Sequence, residues 1–303
     1  MLRRQIPVIL LLSTLSVAGI VEDVRTSLSQ NNPAAAESQL HVYELEHGKT
    51  PEYLEALSWM ARAALASSQL DHAADLAKQT ESLTRQQLAH KSLDSDPHLA
   101  AALGAALEVE AQVLNAQGHH TEAVALLRRS IATYGKTSIN SRLQKNLNLL
   151  SLVGQAAPPL QLTQYFGPKP ASLAQLKGSP VLLFFWAHWC PDCKIEGPII
   201  AKLLSEFGPK GLMVVAPTQF YGYAARGEDA SPKDELAYAQ RVWQIYYSAL
   251  QGCPVPVSQA NFNLYGASTT PTLVLLDRQG RVSLYHPGAL PYADLRSAIE
   301  KVI

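Results

Sequence analysis

Val181-Leu182-Leu183-Phe184-Phe185-Trp186-Ala187-His188-Trp189-Cys190-Pro191-Asp192-Cys193 is the stretch on which the reading of this chain turns. It opens with an unbroken apolar run, bounded upstream by Gly178-Ser179-Pro180. Such a run predicts a short strand buried on both faces. It ends directly in a Cys-x-x-Cys. Downstream, apolar side chains recur at Ile195, Ile199, Ile200, Leu203, Leu204 and Phe207, a helical spacing. Two cysteines therefore fall at a strand-to-helix junction, in the first helical turn. The first N–H groups of a helix lack internal partners, and the helix dipole is positive there. Both effects stabilise a thiolate, the reactive form of cysteine. The spacing predicts Cys190 at the exposed tip as the attacking sulfur and Cys193 one turn inward as the resolving one. Half of a zinc site is the competing reading. It needs two further ligands from Cys253 and scattered histidines, and a dithiol after a strand reads as redox.

The pattern extends beyond the dithiol. Phe185-Trp186-Ala187-x-Trp189-Cys190-Pro191-x-Cys193-x-x-Glu196-x-Pro198 resembles the TlpA/ResA-like branch of thioredoxin-fold thiol-disulfide oxidoreductases. The resemblance covers roughly Gly154 to the C-terminus. It implies a Cys190-Cys193 redox-active disulfide, with no cofactor and no metal. It also implies that the Thr270-Pro271 bond is cis and faces the dithiol, so that Thr270, Pro271 and Trp189 border an extended substrate peptide. Glu196 is the residue this branch associates with proton transfer to the thiols. Ordinary thioredoxins instead carry a buried Asp on the strand before the motif, where this chain has Phe184. A solvated helix carboxylate is the plainer reading of Glu196. Pro198 would kink the active-site helix by removing one hydrogen bond. Asp192 opposes thiolate formation at Cys190, and a protonated His188 would favour it.

The rest of the C-terminal half fits this fold. Gly211 to Ala216 is a second buried strand. Ser231-Pro232 opens a helix with apolar positions Leu236, Ala239, Trp243, Tyr246 and Leu250. Val255-Pro256-Val257 is a short extended piece. Thr272 to Leu276 is a strand, Asp277-Arg278-Gln279-Gly280 a turn, and Arg281 to Tyr285 an antiparallel return. Pro291 begins the last helix. The leading segment, Gly154 through Leu162, is expected in a first strand or hairpin. Cys253 reads as a buried, inert thiol, with a regulatory disulfide as the alternative. Phe220, Tyr221 and Tyr223 either edge the substrate surface or anchor a loop.

The N-terminal half has a different texture. Asn32-Pro33, Thr50-Pro51 and Asp96-Pro97 each put a capping side chain before a proline at a first helical position. Gly48, Gly118 and Gly135 mark stops. Alanine and leucine dominate between them. Laying Met60–Lys78 on Val109–Leu127, an offset of 49 residues, places Leu65 on Leu114, Ala74 on Ala123 and Leu76 on Ala125. This resembles a degenerate tetratricopeptide (TPR) helix pair, whose usual period is roughly 34 residues. Stacked pairs make a groove for protein docking. An accessory bundle that stabilises or dimerises the protein is the equal alternative. His119 and His120 read as turn residues at the surface.

The fold class is therefore two domains: an all-α helical-hairpin (TPR-like) repeat over residues 32–152, then an α/β thioredoxin fold over residues 154–303. Before them, Arg3-Arg4, the apolar run Ile6 to Val21, the small Ser16-Val17-Ala18 and the acidic Glu22-Asp23 read as an export signal over residues 1–21. A membrane anchor over residues 6–21 competes, although about 16 residues falls short of the roughly 20 that span a bilayer. The 303 residues carry zero formal net charge and 47% apolar residues, which describes a globular chain and argues against nucleic acid as a partner. Three cysteines do not make a disulfide scaffold.

Three functions follow from these residues. The resemblance implies an exported oxidoreductase that reduces disulfides in exported proteins, cytochrome c maturation being one such role, with electrons from a membrane-bound thiol reductase. A redox-sensitive adaptor whose helical half does the work is the second. A peroxiredoxin is the third; it needs a Thr three residues before the reactive Cys, where Ala187 stands.

Overall fold

The three proline-marked helix starts form as their sequences dictate. In the computed structural model, which describes residues 19–89 and 91–303, Asn32 caps the Ala35 N–H, Thr50 the Tyr53 N–H, and Asp96 both His98 and Leu99 N–H. Each side chain satisfies donors that the helix leaves unpaired. The helical layer runs α1 (Ile20–Ser29), α2 (Pro33–His47), α3 (Pro51–Ala66), α4 (Leu70–Gln87), α5 (Pro97–Ala116), α6 (His120–Tyr134) and α7 (Asn140–Ser151). It thus begins before residue 32. The export signal lies mainly on residues 1–18, outside the described residues. Ile20 and Val24 of α1 are buried in one core with Leu40, Leu54 and Leu57. Helix α5 is long and apolar enough to cross a membrane by length and composition, and most of it is buried inside this layer.

The α3–α4 and α5–α6 hairpins echo each other with a register one residue from the sequence alignment. Their turns carry Ser68 and Gly118 at the same left-handed position, φ 59° and 86°. That match pairs Ala61 with Ala111 and Ala73 with Ala123, all buried, in place of Ala74 with Ala123. Small buried residues let the paired helices approach closely. Gly135 ends α6 for another reason than a left-handed turn: its φ is −64°, and a Cβ there would meet the Ile131 carbonyl oxygen at 2.7 Å.

The second half is built on the strand that the apolar run predicts. β1 (Tyr165–Phe166) precedes β2 (Val181–Phe185), followed by α8 (Pro191–Phe207), β3 (Met213–Val215), α9 (Pro232–Tyr246), β4 (Val255–Pro256), α10 (Gln259–Tyr265), β5 (Thr272–Leu276), β6 (Val282–Pro287) and α11 (Tyr292–Glu300). The main sheet has the order β3-β2-β5-β6, with β2 parallel to β3 and antiparallel to β5. Alternate residues of β2 serve opposite cores. Leu182 and Phe184 face a core shared with α8, α9 and α11, whereas Val181, Leu183 and Phe185 face one shared with α10 and Leu152. Two buried faces are why the strand has no polar residue.

Several local expectations change. The leading segment forms no strand of its own; Gly154 and Ala157 N–H groups bond to Val282 and Gly280 carbonyls. The short piece at Val255-Pro256 pairs antiparallel with β1. Helix α9 stops at Tyr246, which is 49% exposed. The backbone turns at Tyr247, so Tyr247 enters the core in its stead and Leu250 is buried from a following 3₁₀ turn. Ile195 is 65% exposed, one residue before the buried Glu196. On the far face of the sheet, α7 lies against α10 and β6, joining the helical half to the second.

Candidate active site

Cys190 is the N-cap of α8, so the position of its sulfur follows from helix geometry. Its Sγ accepts the Cys193 N–H at 3.1 Å, where Ser or Asp would sit in an ordinary helix start. On its other side the Cys190 thiol donates to the Thr270 carbonyl at 3.3 Å. The Thr270-Pro271 bond is cis, as the resemblance to the TlpA/ResA-like branch implies. The expected exposed tip is not there: Cys190 is only 2% exposed. The loop ending in Thr270 closes over it, and Trp189, 45% exposed, stands at the surface. Cys193 is fully buried on the inner face of α8, and both cysteines are free thiols.

The two sulfurs titrate apart. The Cys193 thiol, hydrogen-bonded to Cys190, pulls the Cys190 thiol down to about 6. Thr270 and the Cys193 N–H act the same way, against burial and the Asp192 carboxylate. Burial, then the neighbouring Cys190, push Cys193 far up. One thiolate at the helix start and one retained thiol inside it is the division of labour an attacking and a resolving sulfur need.

Glu196 lies one turn beyond Cys193 on the same buried face, so the solvated-carboxylate reading fails. Its Oε2 accepts the Leu290 N–H at 3.1 Å, while its Oε1 is buried without a partner. Burial raises this carboxyl to about 7, against the opposing Leu290 N–H. A carboxyl titrating near neutrality can accept or give a proton under ordinary conditions. Phe184, at the position of the thioredoxin Asp, packs edge-on to Tyr247 with centroids 5.9 Å apart and supplies no proton acceptor.

His188 does not act on the thiolate as the sequence allowed. Its Nε2 meets the Glu235 Oε1 at 3.1 Å, and the ring lies edge-on to Tyr221, Tyr223 and Tyr238. Burial lowers its pKa. Glu235 also accepts the Tyr221 and Gly222 N–H groups at 2.6 and 2.9 Å. This buried carboxylate thus ties the aromatic loop to the residue beside Trp189. Tyr221 in turn packs against Trp189 at 5.5 Å, so this residue of the anchored loop lies beside the site. Cys253 is buried, and burial raises its thiol to about 11, in keeping with an inert role.

Sequence reasoning missed Glu235 and Tyr247. Glu235 reads as an ordinary acidic residue at a helix start. Tyr247 carries no local signal; its ring fits because residue 197 is Gly, where a Cβ would come within 2.6 Å of it. Its buried hydroxyl has no partner, and both cysteines act on it electrostatically.

Comparison with known proteins agrees with this chemistry. The AhpC/TSA family pattern matches residues 153–218, from the leading segment through β3. Thioredoxin-like protein YneN of Bacillus subtilis is 28% identical over 148 residues, 48% of this chain and 78% of that protein. Thiol-disulfide oxidoreductase ResA of Oceanobacillus iheyensis is 40% identical over 75 residues, 24% of this chain and 39% of its own. Thiol:disulfide interchange protein DsbE of Pseudomonas fluorescens is 26% identical, covering 46% of this chain and 68% of its own. The crystal structure of the exposed lipoprotein thioredoxin Etrx1 of Streptococcus pneumoniae is 25% identical, covers 47% of this chain and 99% of that one, and aligns with a TM-score of 0.37. With a dithiol at a strand-to-helix junction and a cis-proline loop against it, the C-terminal half of this chain is a thioredoxin-like thiol-disulfide oxidoreductase domain, similar to the AhpC/TSA family over residues 153–218 and to the ResA and DsbE proteins, carried behind a helical N-terminal region.

Proposed function

We propose that the protein reduces disulfides in exported proteins, with Cys190 as nucleophile, Cys193 as resolving thiol and Glu196 as the proton acceptor of the second step. The observation that carries this reading is the Cys190 sulfur, held between the Cys193 N–H and Thr270. The Cys190 thiolate attacks one sulfur of a substrate disulfide. That S–S bond breaks, a mixed disulfide forms, and one substrate thiolate leaves. Cys193 then gives its proton to Glu196 and attacks the Cys190 sulfur. The second substrate sulfur leaves as thiolate and takes a proton. Two electrons have moved from protein to substrate, and an external thiol donor restores the dithiol. Trp189 and the Thr270-Pro271 edge would hold the substrate backbone.

A thiol at about 6 lies nearer the ~7 of thioredoxin than the ~3.5 of the strong oxidant DsbA, which favours the reducing direction. The export-signal reading of residues 1–21, or an anchor over residues 6–21, would place the reaction outside the cytoplasm. A membrane-bound thiol reductase is then the fitting donor. Apocytochrome c belongs to the substrate class. The helical half would dock partners. The peroxidase reading is weaker, since Ala187 stands where the resemblance requires a Thr.

Substituting the two cysteines tests this. Cys193→Ala should accumulate mixed disulfides with specific exported proteins, and Cys190→Ser should accumulate none and lose turnover. Turnover by Cys190→Ser would overturn the mechanism. Partner recovery indifferent to both cysteines would favour the adaptor.

A further inference from the structure

A cleft of about 610 Å³ opens between the redox face and the helical layer. Trp189, Tyr221 and Thr270 line one side; Lys136, Thr137 and Ser138, in the turn between α6 and α7, line the other. Ser138 is held there by Asp94, which accepts both its N–H and its hydroxyl. A second hollow of about 460 Å³ is lined by Ser268 and Thr269 on the redox side and by Arg62, Arg142 and Lys145 on the helical side. The two hollows share Ser268, so they meet along the three residues that end at the cis-proline edge.

The second hollow is unbalanced in charge. Its three cations surround one carboxylate, Glu108, at 3.5 Å from Arg62, 3.8 Å from Arg142 and 2.9 Å from Lys145. Glu108 is buried, and no other acidic residue lines the hollow. The nearby Glu55 is engaged by His98 at 2.7 Å. Burial and the neighbouring Arg142 charge lower the Arg62 pKa, against the attraction of Glu108 and Glu55, as expected where cations outnumber their counter-ions. Each of the three side chains keeps between 16% and 29% of its surface exposed, so a ligand can reach them. Uncompensated, partly desolvated cations make a receptive site for a carboxylate.

We propose that the hollow formed by Arg62, Arg142 and Lys145 is a specificity subsite that takes an acidic side chain of the substrate polypeptide. This inference rests on the disulfide-reducing reading of the site. An extended substrate whose cysteine sits on Cys190 pairs along Thr270. At roughly 3.4 Å per residue, its neighbours two to four positions away run past Ser268 and Thr269 into the cationic hollow. The helical half is then part of the substrate site itself. The reaction is unchanged; only the choice of substrate is set.

The test uses the reduced full chain and three disulfide-linked peptides that differ at the residue three positions from the cysteine, on either side: Glu, Gln or Lys. The second-order rate of protein oxidation is read from Trp fluorescence. The uncharged bis(2-hydroxyethyl) disulfide serves as control on the same sample. We expect the Glu peptide to react about tenfold faster than the Lys peptide at low salt, the gap closing as salt rises. Arg142→Gln should shrink that ratio, Arg142→Lys should keep it, and Glu108→Gln should widen it. The opposite signs separate a charge effect from a loss of fold. Equal rates for the Glu and Lys peptides, with the control disulfide still reduced, would overturn the subsite and leave the oxidoreductase reading intact. Failure to reduce even the control would overturn that reading first and the subsite with it.

Discussion

Replacing Glu196 with Gln should make the protein more stable and a poorer catalyst. The carboxyl is buried with one N–H partner and one bare oxygen. Burial raises its pKa from 4.5 to about 7 in the folded protein. Below pH 4.5 the group is protonated in both states and costs nothing. Between 4.5 and about 7 the folded state holds a proton that the unfolded state has released, so stability falls as pH rises. At about 1.4 kcal/mol per pH unit that interval sets a ceiling of about 3 kcal/mol, and relaxation of the surroundings around the buried carboxylate brings the expected loss to about 2 kcal/mol. A neutral Gln of the same shape escapes it. Urea unfolding of the oxidised wild type and of Glu196→Gln, followed from pH 4 to 8.5, gives the difference directly. Trp186, Trp189 and Trp243, three of the four tryptophans, report on the redox half. Oxidation removes the Cys190 and Cys193 thiols from the titration; neither is among the causes of the Glu196 shift. The variant should match the wild type near pH 4 and exceed it by about 2 kcal/mol at pH 8. The resolving step, measured by release of a peptide from the mixed disulfide, should slow by roughly 100-fold and lose its rise near pH 7. Parallel stability curves across the pH range would refute the buried-carboxylate argument. A stability gain without slower resolution would remove Glu196 from the proton path.

Two further substitutions probe the surroundings. Asp192→Asn removes the carboxylate that opposes the Cys190 thiolate, so thiolate absorbance should titrate with a midpoint below that of the wild type; an unchanged or higher midpoint would contradict the electrostatics. Gly266→Ala places a Cβ inside the Lys145 backbone, at φ +60°, where α10 meets α7. The overpacking should cost about 1–3 kcal/mol and loosen the helical half from the redox half, read as a lower melting temperature and new protease cleavage near residue 153; a melt identical to wild type would mean that contact is not close-packed.

The helical half shows how far local signals reach. Asn32, Thr50 and Asp96 before prolines marked three helix starts because capping is settled within four residues. The pairing of the two hairpins differs by one residue from the alignment of their sequences. Alanine recurs so often that Ala73 and Ala74 fit equally well, and only burial against the partner helix selects Ala73. Tyr246 and Tyr247 pose the same problem at the end of α9: periodicity continues through both, and the turn of the chain decides which one is buried.

The sequence by itself determined the strand, the dithiol at the helix start and the Glu one turn on, because each rests on neighbouring residues and backbone geometry; the cis bond at Pro271 was implied by the family resemblance, since no local signal separates cis from trans. Tertiary structure alone decided the burial of Cys190 under the Thr270 loop, the bare oxygen of Glu196, the Glu235 tie to His188, and the cationic hollow where α3, α5 and α7 face Ser268 and Thr269. These features join residues tens to hundreds of positions apart. Desolvation and excess charge belong to the space between such residues, and no window along the chain contains that space.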